Sequence, residues 1–441
     1  MKQAPPSPTK LPWVGHLPFY VRDPMRFLQK ALREHGDVVQ LQLGGIHSWL
    51  LGNPADIETV LVTQNKCFEK DNFAKDLQRI LGQGLITSEG EFWRRQRRLA
   101  QPAFHREKIA SFATTMVDAA EREAARWWPG QVRDVHVDMM RVTLDIVART
   151  LFNTDVAEAA DEIGHIVESV MNRYADWRYA ALPVLDRIPT KSNREFDQGL
   201  KRLDELIYEI IDKTDENGSS FVSMLRAARD EDGSQMSPKQ LRDEVVTLIL
   251  AGHETTALAL SWTWLALSRQ PVLMQRLHAE LNEVLGGRSP TLDDLPRLKL
   301  TSNIIHESLR MYPPAWSTGR LAIAPCDLGG YQLQPGQQVW VPIWAVHRDP
   351  RWYSHPEVFD PDRWNNDLLK KLPKFAYMPF GGGPRLCIGQ GFAMIEAVLL
   401  LATFAQRFKV EVLPDHPIDY IASVTMRPKH GIRAEVQRWT S

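Results

Sequence analysis

Cys387 stands in a glycine-rich segment, Phe-Gly-Gly-Gly-Pro-Arg-Leu-Cys-Ile-Gly at residues 380–389, and an apolar helical pattern follows it to about residue 408. A thiol just before a helix meets free backbone N–H groups and the positive end of the helix dipole, which favour the thiolate. The glycines lack a Cβ, so this backbone can pass close to a flat, bulky group. Such a cysteine suits the proximal ligand of a haem iron. The alternative is an inert, buried cysteine in a glycine-rich turn, the usual interpretation of a cysteine that stands alone.

A second group of residues that could take part in chemistry, Gly252, Glu254 and Thr255, interrupts a long apolar stretch at residues 238–271. Its length of about 33 residues predicts a helix of about 50 Å, enough to cross a whole domain. Gly252 and the adjacent threonines are poor helix formers, and local rules broken inside a helix often mark function. Thr255 can bond to its own helix and open a groove, and Glu254 can relay protons. Without Cys387, a packing kink with an exposed glutamate would be the simpler interpretation.

A third set lies in the basic segment 92–99, where Trp93 and Arg97 are four residues apart and share one helical face. An indole N–H and a guanidinium on one face can hold a carboxylate. A basic run is more often only a solvated helix face.

Five ordered motifs in this sequence resemble the cytochrome P450 family. They are Trp-x-x-x-Arg at 93–97, Ala-Gly-x-Glu-Thr-Thr at 251–256, Glu-x-x-Arg at 307–310, Pro-x-x-Phe-x-Pro-x-Arg-Trp at 356–364 and Phe-x-x-Gly-x-Arg-x-Cys-x-Gly at 380–389. The resemblance spans about residues 11–435. It implies the cytochrome P450 fold, mainly α with a small β-lobe, as a single haem domain over residues 1–441. A Pro-rich segment occupies about residues 1–10, and no fused reductase is expected.

The resemblance also implies a role for each site residue. Cys387 would be the thiolate ligand of a haem b, Thr255 would hydrogen-bond dioxygen, and Glu254 would supply protons through water. The remaining cofactor-binding residues would be Trp93, Arg97, Arg320 and Arg385 at the haem propionates, and Gly252, Phe380 and Gly389 against the haem. Some relatives bind haem covalently through a glutamate at the position of Ala251, so a non-covalent haem is expected here. Glu307, Arg310 and Arg363 would form a buried ion network that holds the cysteine loop.

The function implied is a monooxygenase that activates dioxygen with electrons from a separate ferredoxin- or flavodoxin-type donor. The donor would dock on a basic patch of Arg94, Arg95 and Arg98. The substrate would be lipophilic, of the fatty acid, terpenoid, carotenoid or steroid class. Two alternatives are a peroxide-driven peroxygenase and a non-catalytic haem-thiolate sensor, and the pair Glu254–Thr255 argues against both.

The composition indicates the class of protein that carries these residues and the cellular compartment in which it works. The 441 residues are 44% hydrophobic and 24% charged, with a formal net charge of -1, which points to a globular protein with no nucleic-acid or membrane partner. Three cysteines argue against a disulfide framework and fit a reducing cytosol. No apolar run of the length needed for a membrane anchor is visible. We therefore expect a cytoplasmic monomer.

The elements that must position these residues follow from the hydrophobic pattern. The predictions are strands at 38–43 and 48–51, a short helix at 56–63, an irregular segment at 64–91, helices at 161–180 and 194–213, a helix at 297–311, strands at 317–323, 330–333 and 338–341, and a hairpin at 420–427. The resemblance implies that the segment 64–91 lies over the distal face of the haem and that the helices 161–180 and 194–213 form a lid over the active site. From the pattern alone, these two could equally be plain packing helices.

Overall fold

The computed structural model describes residues 4–152, 162–164, 166, 173, 188 and 190–439. Most of the predicted helix at 161–180 lies outside the described residues. The predicted partner helix at 194–213 is present as Lys191–Lys213.

Helices make up most of the described chain, which confirms the predicted mainly α class. They are Leu17–Arg22, Pro24–His35, Pro54–Glu58, Asn72–Asp76, Gln78–Leu81, Gly90–Ala100, Arg106–Ser111, Ala113–Ala124, Val135–Phe152, Lys191–Lys213, Phe221–Ala227, Pro238–Ser268, Pro271–Leu285, Lys299–Met311, Ile343–Val346, Leu368–Lys371 and Gln390–Ala405. We call Gly90–Ala100 the arginine-rich helix, Pro238–Ser268 the central helix and Gln390–Ala405 the cysteine helix.

The strands form small sheets. They are β1 (Val38–Leu43), β2 (Ile46–Leu51), β3 (Phe68–Lys70), β4 (Val132–Asp134), β5 (Thr318–Ala322), β6 (Cys326–Leu328), β7 (Tyr331–Leu333), β8 (Gln338–Val341), β9 (Phe408–Val412), β10 (Tyr420–Ala422), β11 (Met426–Pro428) and β12 (Arg433–Arg438). The largest sheet has the order β1-β2-β8-β5-β3 and is the predicted β-lobe. Strands β4, β12 and β9 form a second sheet, and the pairs β6–β7 and β10–β11 form hairpins.

The central helix begins where its capping chemistry predicts. The side chain of Ser237 accepts a hydrogen bond from the N–H of Gln240, whose own side chain bonds back to Ser237, and Pro238 occupies the first turn. The helix ends at Ser268, just before the helix that starts with Pro271. Among the described residues it is the one helix long and apolar enough to cross a membrane, but 78% of its apolar window is buried inside the fold. It is therefore the core helix on which the other layers pack.

The segment 64–91 is more ordered than its lack of periodicity predicts. It contains β3 and two short helices, and its last part is fixed to the central helix by two carboxylates. Asp243 accepts the N–H of Gln83 at 2.8 Å, and Glu244 accepts the N–H of Leu85 at 3.1 Å. These tertiary hydrogen bonds, which no local pattern encodes, position the loop.

One hydrophobic core includes buried residues from Met25 to Val436. The polar stretch 214–238 separates segments that share this core, which is consistent with the predicted single domain.

Candidate active site

The cysteine loop, residues 380–389, packs against the short π-helical turn Thr59–Thr63. Gly383 has φ +66°, and a Cβ on it would lie 2.0 Å from the carbonyl oxygen of Leu61. A Cβ on Gly382 would lie 2.1 Å from the ring of Phe375. Packing within the protein therefore requires a glycine at both positions. Gly381 and Gly389, in contrast, line a cavity.

The sulfur of Cys387 faces that same cavity. The backbone N–H of Cys387 donates a hydrogen bond to the carbonyl oxygen of Phe380 at 3.0 Å. The cysteine helix starts three residues after Cys387. Burial raises the pKa of the Cys387 thiol, whereas the N–H groups of Gly389 and Gln390 and the charge of Arg97 act to lower it. The thiolate-favouring groups predicted from the helix start are therefore present, but burial outweighs them. A bound metal cation would add the further positive charge that a thiolate needs.

The central helix also lines the cavity. Gly252 and Thr255 both line it. The Thr255 hydroxyl donates to the carbonyl oxygen of Ala251 at 2.7 Å, which holds the side chain at a fixed place in the wall. A Cβ on Gly252 would lie 3.2 Å from Val147, so a larger residue would crowd the neighbouring helix.

Glu254 faces away from the cavity. It is 2% exposed, and its Oε1 accepts hydrogen bonds from Thr425 at 2.7 Å and from Arg427 at 2.5 Å. Both partners belong to the segment of the β10–β11 hairpin. His253, next to Glu254, is also buried, and burial lowers its pKa to about 4. The structure therefore places the predicted proton donor behind the cavity wall, in an ion pair that sequence reasoning missed.

A cluster of cations flanks the cysteine loop. Arg320 and Lys70 are register partners on β5 and β3, so their side chains share one face of the sheet. Arg385 stacks on the ring of Trp93 at 3.8 Å from its centroid and pairs with Glu89. Burial, followed by repulsion from Arg320 and Arg385, lowers the pKa of Lys70 to about 7.

Arg97 extends this positive region to the cysteine loop, where it donates to the carbonyl oxygen of Leu386 at 3.0 Å. Lys70 and Arg320 interact with the carboxylates Asp71 and Glu89, and Arg385 interacts with Glu89. Arg97 interacts with Cys387 instead. The excess of positive charge matches the two carboxylates of a dianionic ligand. Lys70 was not predicted, because nothing in its spacing within Phe68–Lys70 distinguishes it from an exposed strand lysine.

The predicted basic docking patch is largely paired within the chain. Arg95 and Arg98 both contact Asp230, at 2.8 Å and 2.6 Å, and Arg94 pairs with Glu91. These ion pairs connect the arginine-rich helix to the polar connection before the central helix. The surface carries less free positive charge than the run of arginines suggests.

The predicted ion network holds the segment that leads to the cysteine. Glu307 and Arg310 are fully buried and bond at 2.8 Å, and Arg363 reaches Glu307 at 2.9 Å. Arg310 also donates to the carbonyl oxygen of His347, whose Nε2 accepts the N–H of Met378 at 2.9 Å. A continuous set of bonds therefore runs from the network to Met378, two residues before the cysteine loop.

Another carboxylate beside the site was missed. Glu396, in the cysteine helix, is fully buried, and burial raises its pKa to about 8, although the nearby Thr256 of the cavity wall acts to lower it. A lone charged residue in the apolar run Met394–Val398 was the available sequence signal.

The cavity has a volume of about 320 Å³ and a mostly hydrocarbon lining. Its lining includes Cys387, Thr255, Phe380, Gly389 and Gly252. A thiolate donor, two glycines at the wall and an excess of cations beside it are the features that a haem with two propionates requires. The residues present therefore fit that group.

Comparison with known proteins agrees with this geometry. The profile of the cytochrome P450 family matches residues 5–433. The chain is 41% identical to cyclooctatin synthase from Streptomyces melanosporofaciens, over 92% of this chain and 90% of that protein. It is 35% identical to cyclooctat-9-en-7-ol 5-monooxygenase from the same organism, over 92% and 90% of the two chains. It is 37% identical to pentalenene oxygenase from Streptomyces avermitilis, over 97% and 96% of the two chains.

A fold of this kind, built around a cysteine loop and a threonine-bearing central helix, defines the haem-thiolate oxygenases. The chain belongs to the cytochrome P450 family. It is a monooxygenase of that family, which confirms the predicted enzyme class. The family implies haem-thiolate iron, a redox partner, dioxygen and a lipophilic substrate.

Proposed function

We propose that this enzyme hydroxylates a cyclic terpenoid, with Cys387 as the thiolate ligand of a non-covalent haem b. The observation that carries the proposal is the cavity, which is lined by both Cys387 and Thr255 and otherwise mostly by hydrocarbon side chains. The related enzymes named above are terpenoid-oxidising. A hydrocarbon lining gives a polycyclic hydrocarbon apolar contact without leaving polar groups unpaired.

Different residues of this chain would hold the iron, bind the propionates and exclude water. Haem iron, when bound, supplies the reductive activation of dioxygen, and thiolate donation favours O–O cleavage. Cys387 would hold the iron, while Lys70, Arg97, Arg320 and Arg385 would hold the propionates. Trp93 would orient Arg385 by stacking under its guanidinium. The hydrocarbon walls would exclude water from the reacting C–H bond.

Proton supply would depend on the turn that carries Glu254 and Thr255. Thr255 presents its hydroxyl at the cavity, where it can bond to dioxygen. Glu254 is tied to Thr425 and Arg427 on the other side of the turn. To act as the proton source, its carboxyl must leave these partners or act through water.

The electron donor would be a ferredoxin- or flavodoxin-type protein that docks beside Leu386. This side chain is exposed and directly precedes Cys387, so the protein surface comes close to the sulfur there. Arg94 and Arg98 on the neighbouring helix remain half exposed, and acidic donor side chains can still reach them. We propose that the enzyme works as a cytoplasmic monomer.

A ligand panel tests the proposed substrate class. Cyclic diterpenes and sesquiterpenes, and their mono-alcohols, should shift the ferric haem spectrum saturably, whereas straight-chain fatty acids should not. With a ferredoxin and its reductase, the best ligand should gain one oxygen atom by mass spectrometry. Ala315→Phe, which fills the cavity wall, should weaken the shift while leaving the haem spectrum itself intact.

A spectral response to fatty acids alone would contradict the terpenoid assignment. Product formation with hydrogen peroxide but not with reductase would instead favour the peroxygenase alternative.

A further inference from the structure

Two of the three cysteines, Cys67 and Cys326, meet in the β-lobe although they lie far apart in the sequence. Cys67 ends the short turn before β3 and is half-buried, whereas Cys326 begins β6 and is 3% exposed. Cys326 belongs to the hydrophobic cluster of the β-lobe, and Cys67 packs against that cluster. Both are free thiols, and neither takes part in the haem binding or the proton supply proposed above. A pair of free thiols in one cluster is a candidate site of oxidation.

Backbone hydrogen bonds hold the chain before Cys326 against Cys67. The carbonyl oxygen of Cys67 accepts the N–H of Ile323 at 2.8 Å and the N–H of Ala324 at 3.4 Å. The chain bends at these two residues, and Cys326 follows two residues later. The bend between β5 and β6 therefore closes on the carbonyl group of Cys67.

A second contact fixes the other side of Cys326. The N–H of Gly329, in the turn of the β6–β7 hairpin, donates to the carboxylate of Asp56 at 2.9 Å. Asp56 lies in the short helix that precedes Cys67 in the chain. Cys326 thus lies between two anchored points, the bend after β5 and Gly329, and both are fixed to the segment before β3.

The two thiols differ in how easily an oxidant reaches them. Cys67 is the more exposed, so an oxidant in solvent meets it first. Burial, followed by the charge of the nearby Cys67, raises the pKa of the Cys326 thiol to about 11. Cys326 is therefore a neutral thiol at physiological pH, and it reacts only with an electrophile that is already beside it. An accessible thiol next to a second, resolving thiol is the arrangement of redox-sensing cysteines.

We propose that Cys67 and Cys326 form a thiol pair that hydrogen peroxide oxidises to a disulfide between the start of β3 and the start of β6. The Cys67 sulfur attacks one oxygen of peroxide, the O–O bond breaks, and a sulfenic acid and one water form. The Cys326 sulfur then attacks the Cys67 sulfur, the S–O bond breaks, and the disulfide and a second water form. The two thiols together lose two electrons and two protons, and peroxide is reduced to water.

The disulfide would connect the strands that carry cations beside the cysteine loop. Lys70 lies on β3 and Arg320 on β5, where the two are register partners. A cross-link between residues far apart in the sequence stabilises a fold mainly by restricting its opened and unfolded states. Oxidation should therefore oppose the separation of β3 from β5 and slow the loss of haem. This consequence for haem rests on the proposed function, whereas the cross-link itself does not.

Peptide mapping of the haem-loaded enzyme tests the cross-link. After brief treatment with hydrogen peroxide and alkylation of the remaining thiols, the unaltered enzyme should lose the mass of two hydrogen atoms and yield a linked Cys67–Cys326 peptide. Cys326→Ser should stop after the first step and accumulate a sulfenic acid on Cys67, which dimedone traps. Cys67→Ser is the matched control and should yield neither product. Dithiothreitol should restore both thiols of the unaltered enzyme.

Transfer of haem to an excess of apomyoglobin tests the consequence of the cross-link. Peroxide treatment should slow the transfer from the unaltered enzyme about threefold, and dithiothreitol should reverse the effect. The Cys67→Ser enzyme, treated in the same way, should transfer haem at its untreated rate.

Contrary results overturn the proposal at separate points. The thiol pair is refuted if the treated enzyme yields no linked peptide, or if the link joins Cys67 of two copies, which non-reducing electrophoresis shows as a dimer. An unchanged rate of haem transfer despite a complete cross-link would refute its effect on haem retention. Mapping uses no substrate, so a missing cross-link leaves the terpenoid assignment untouched, and a failed ligand panel leaves the cross-link standing.

Discussion

At the cysteine sulfur, burial and hydrogen bonding act in opposite directions. Burial in the fold favours the neutral thiol, while two backbone N–H groups and Arg97 favour the thiolate. The N–H groups also fix where the sulfur lies, because both belong to the start of the cysteine helix. The loop therefore positions a ligand whose ionisation is completed by the metal that it binds.

Thr255→Ala should uncouple electron consumption from hydroxylation. The hydroxyl that faces the cavity is lost, and the proton supply loses its last protein group. The rate of donor oxidation should stay within about twofold, while product per electron falls about tenfold and peroxide appears. Thr255→Ser keeps the hydroxyl and should retain most of the coupling. Unchanged coupling in the alanine variant would remove Thr255 from the proton route.

Lys70→Met should weaken haem retention. The cation opposite Arg320 on the neighbouring strand is removed, and a charge-assisted bond to a propionate goes with it. Transfer of haem to an excess of apomyoglobin should become about tenfold faster. Lys66→Met, at an exposed position just before β3, should transfer haem at the original rate. Equal rates in both variants would show that Lys70 does not contact the haem.

At the scale of elements, the buried carboxylate of Glu307 joins two parts of the fold near the loop. The Glu307 carboxylate accepts hydrogen bonds from the guanidinium groups of Arg310 and Arg363, the indole N–H of Trp364 and the backbone N–H of Asp360. This carboxylate connects the helix Lys299–Met311 to the segment before the cysteine loop.

Glu307→Gln should lower the free energy of unfolding by about 3–5 kcal/mol, because two buried guanidinium groups lose their counter-charge. Urea titration of the haem-loaded enzyme, followed by circular dichroism, measures the loss. Glu283→Gln, on an exposed face of the neighbouring helix, should change the value by less than about 0.5 kcal/mol. Comparable stabilities of the two variants would contradict the structural role of Glu307.

The secondary-structure elements were predicted well where the hydrophobic pattern agrees with residues that begin or end an element, such as proline, serine and glycine. Ser237, Pro238 and Pro271 bounded the central helix to within a few residues, and the pairing of β1 with β2 followed from alternation and two glycines. The segment 64–91 was predicted less well, because tertiary bonds to Asp243 and Glu244 order it.

Site residues were predictable when they belong to a motif. Cys387 and Thr255, from two different motifs, line one cavity, and Glu307 is buried in its ion network. Lys70 and Arg427 carry no local signal, since the fold alone brings them to the cation cluster and to Glu254. The direction in which Glu254 faces also depends on the hairpin, and helical spacing could not reveal it.

At the scale of the whole molecule, buried neutral histidines couple stability to pH. His347 is fully buried, and its pKa is lowered to about 3, first by burial and then by the charge of Arg310. Its Nε2 must stay unprotonated to accept the N–H of Met378. The unfolded chain binds a proton at this histidine below about pH 6.5, whereas the folded chain does not.

Stability should therefore fall as the pH decreases from about 6.5, by up to about 1.4 kcal/mol per pH unit for one such histidine. Urea midpoints between about pH 7.5 and 5.5 measure the slope. His347→Gln can still accept the N–H of Met378 and donate to Arg310, but it does not titrate, so its slope should be smaller. An equal slope would show that His347 does not contribute to the acid sensitivity.

The account depends most on Cys387 as the thiolate ligand of the haem, and the ferrous carbon-monoxide difference spectrum tests this most directly. The unaltered enzyme should show the red-shifted Soret band that thiolate ligation produces, and so should Cys67→Ala and Cys326→Ala, which remove the other two thiols. Cys387→Ala should bind haem, if at all, without that band. A band that persists in Cys387→Ala, or its absence from the haem-loaded unaltered enzyme, would contradict the account.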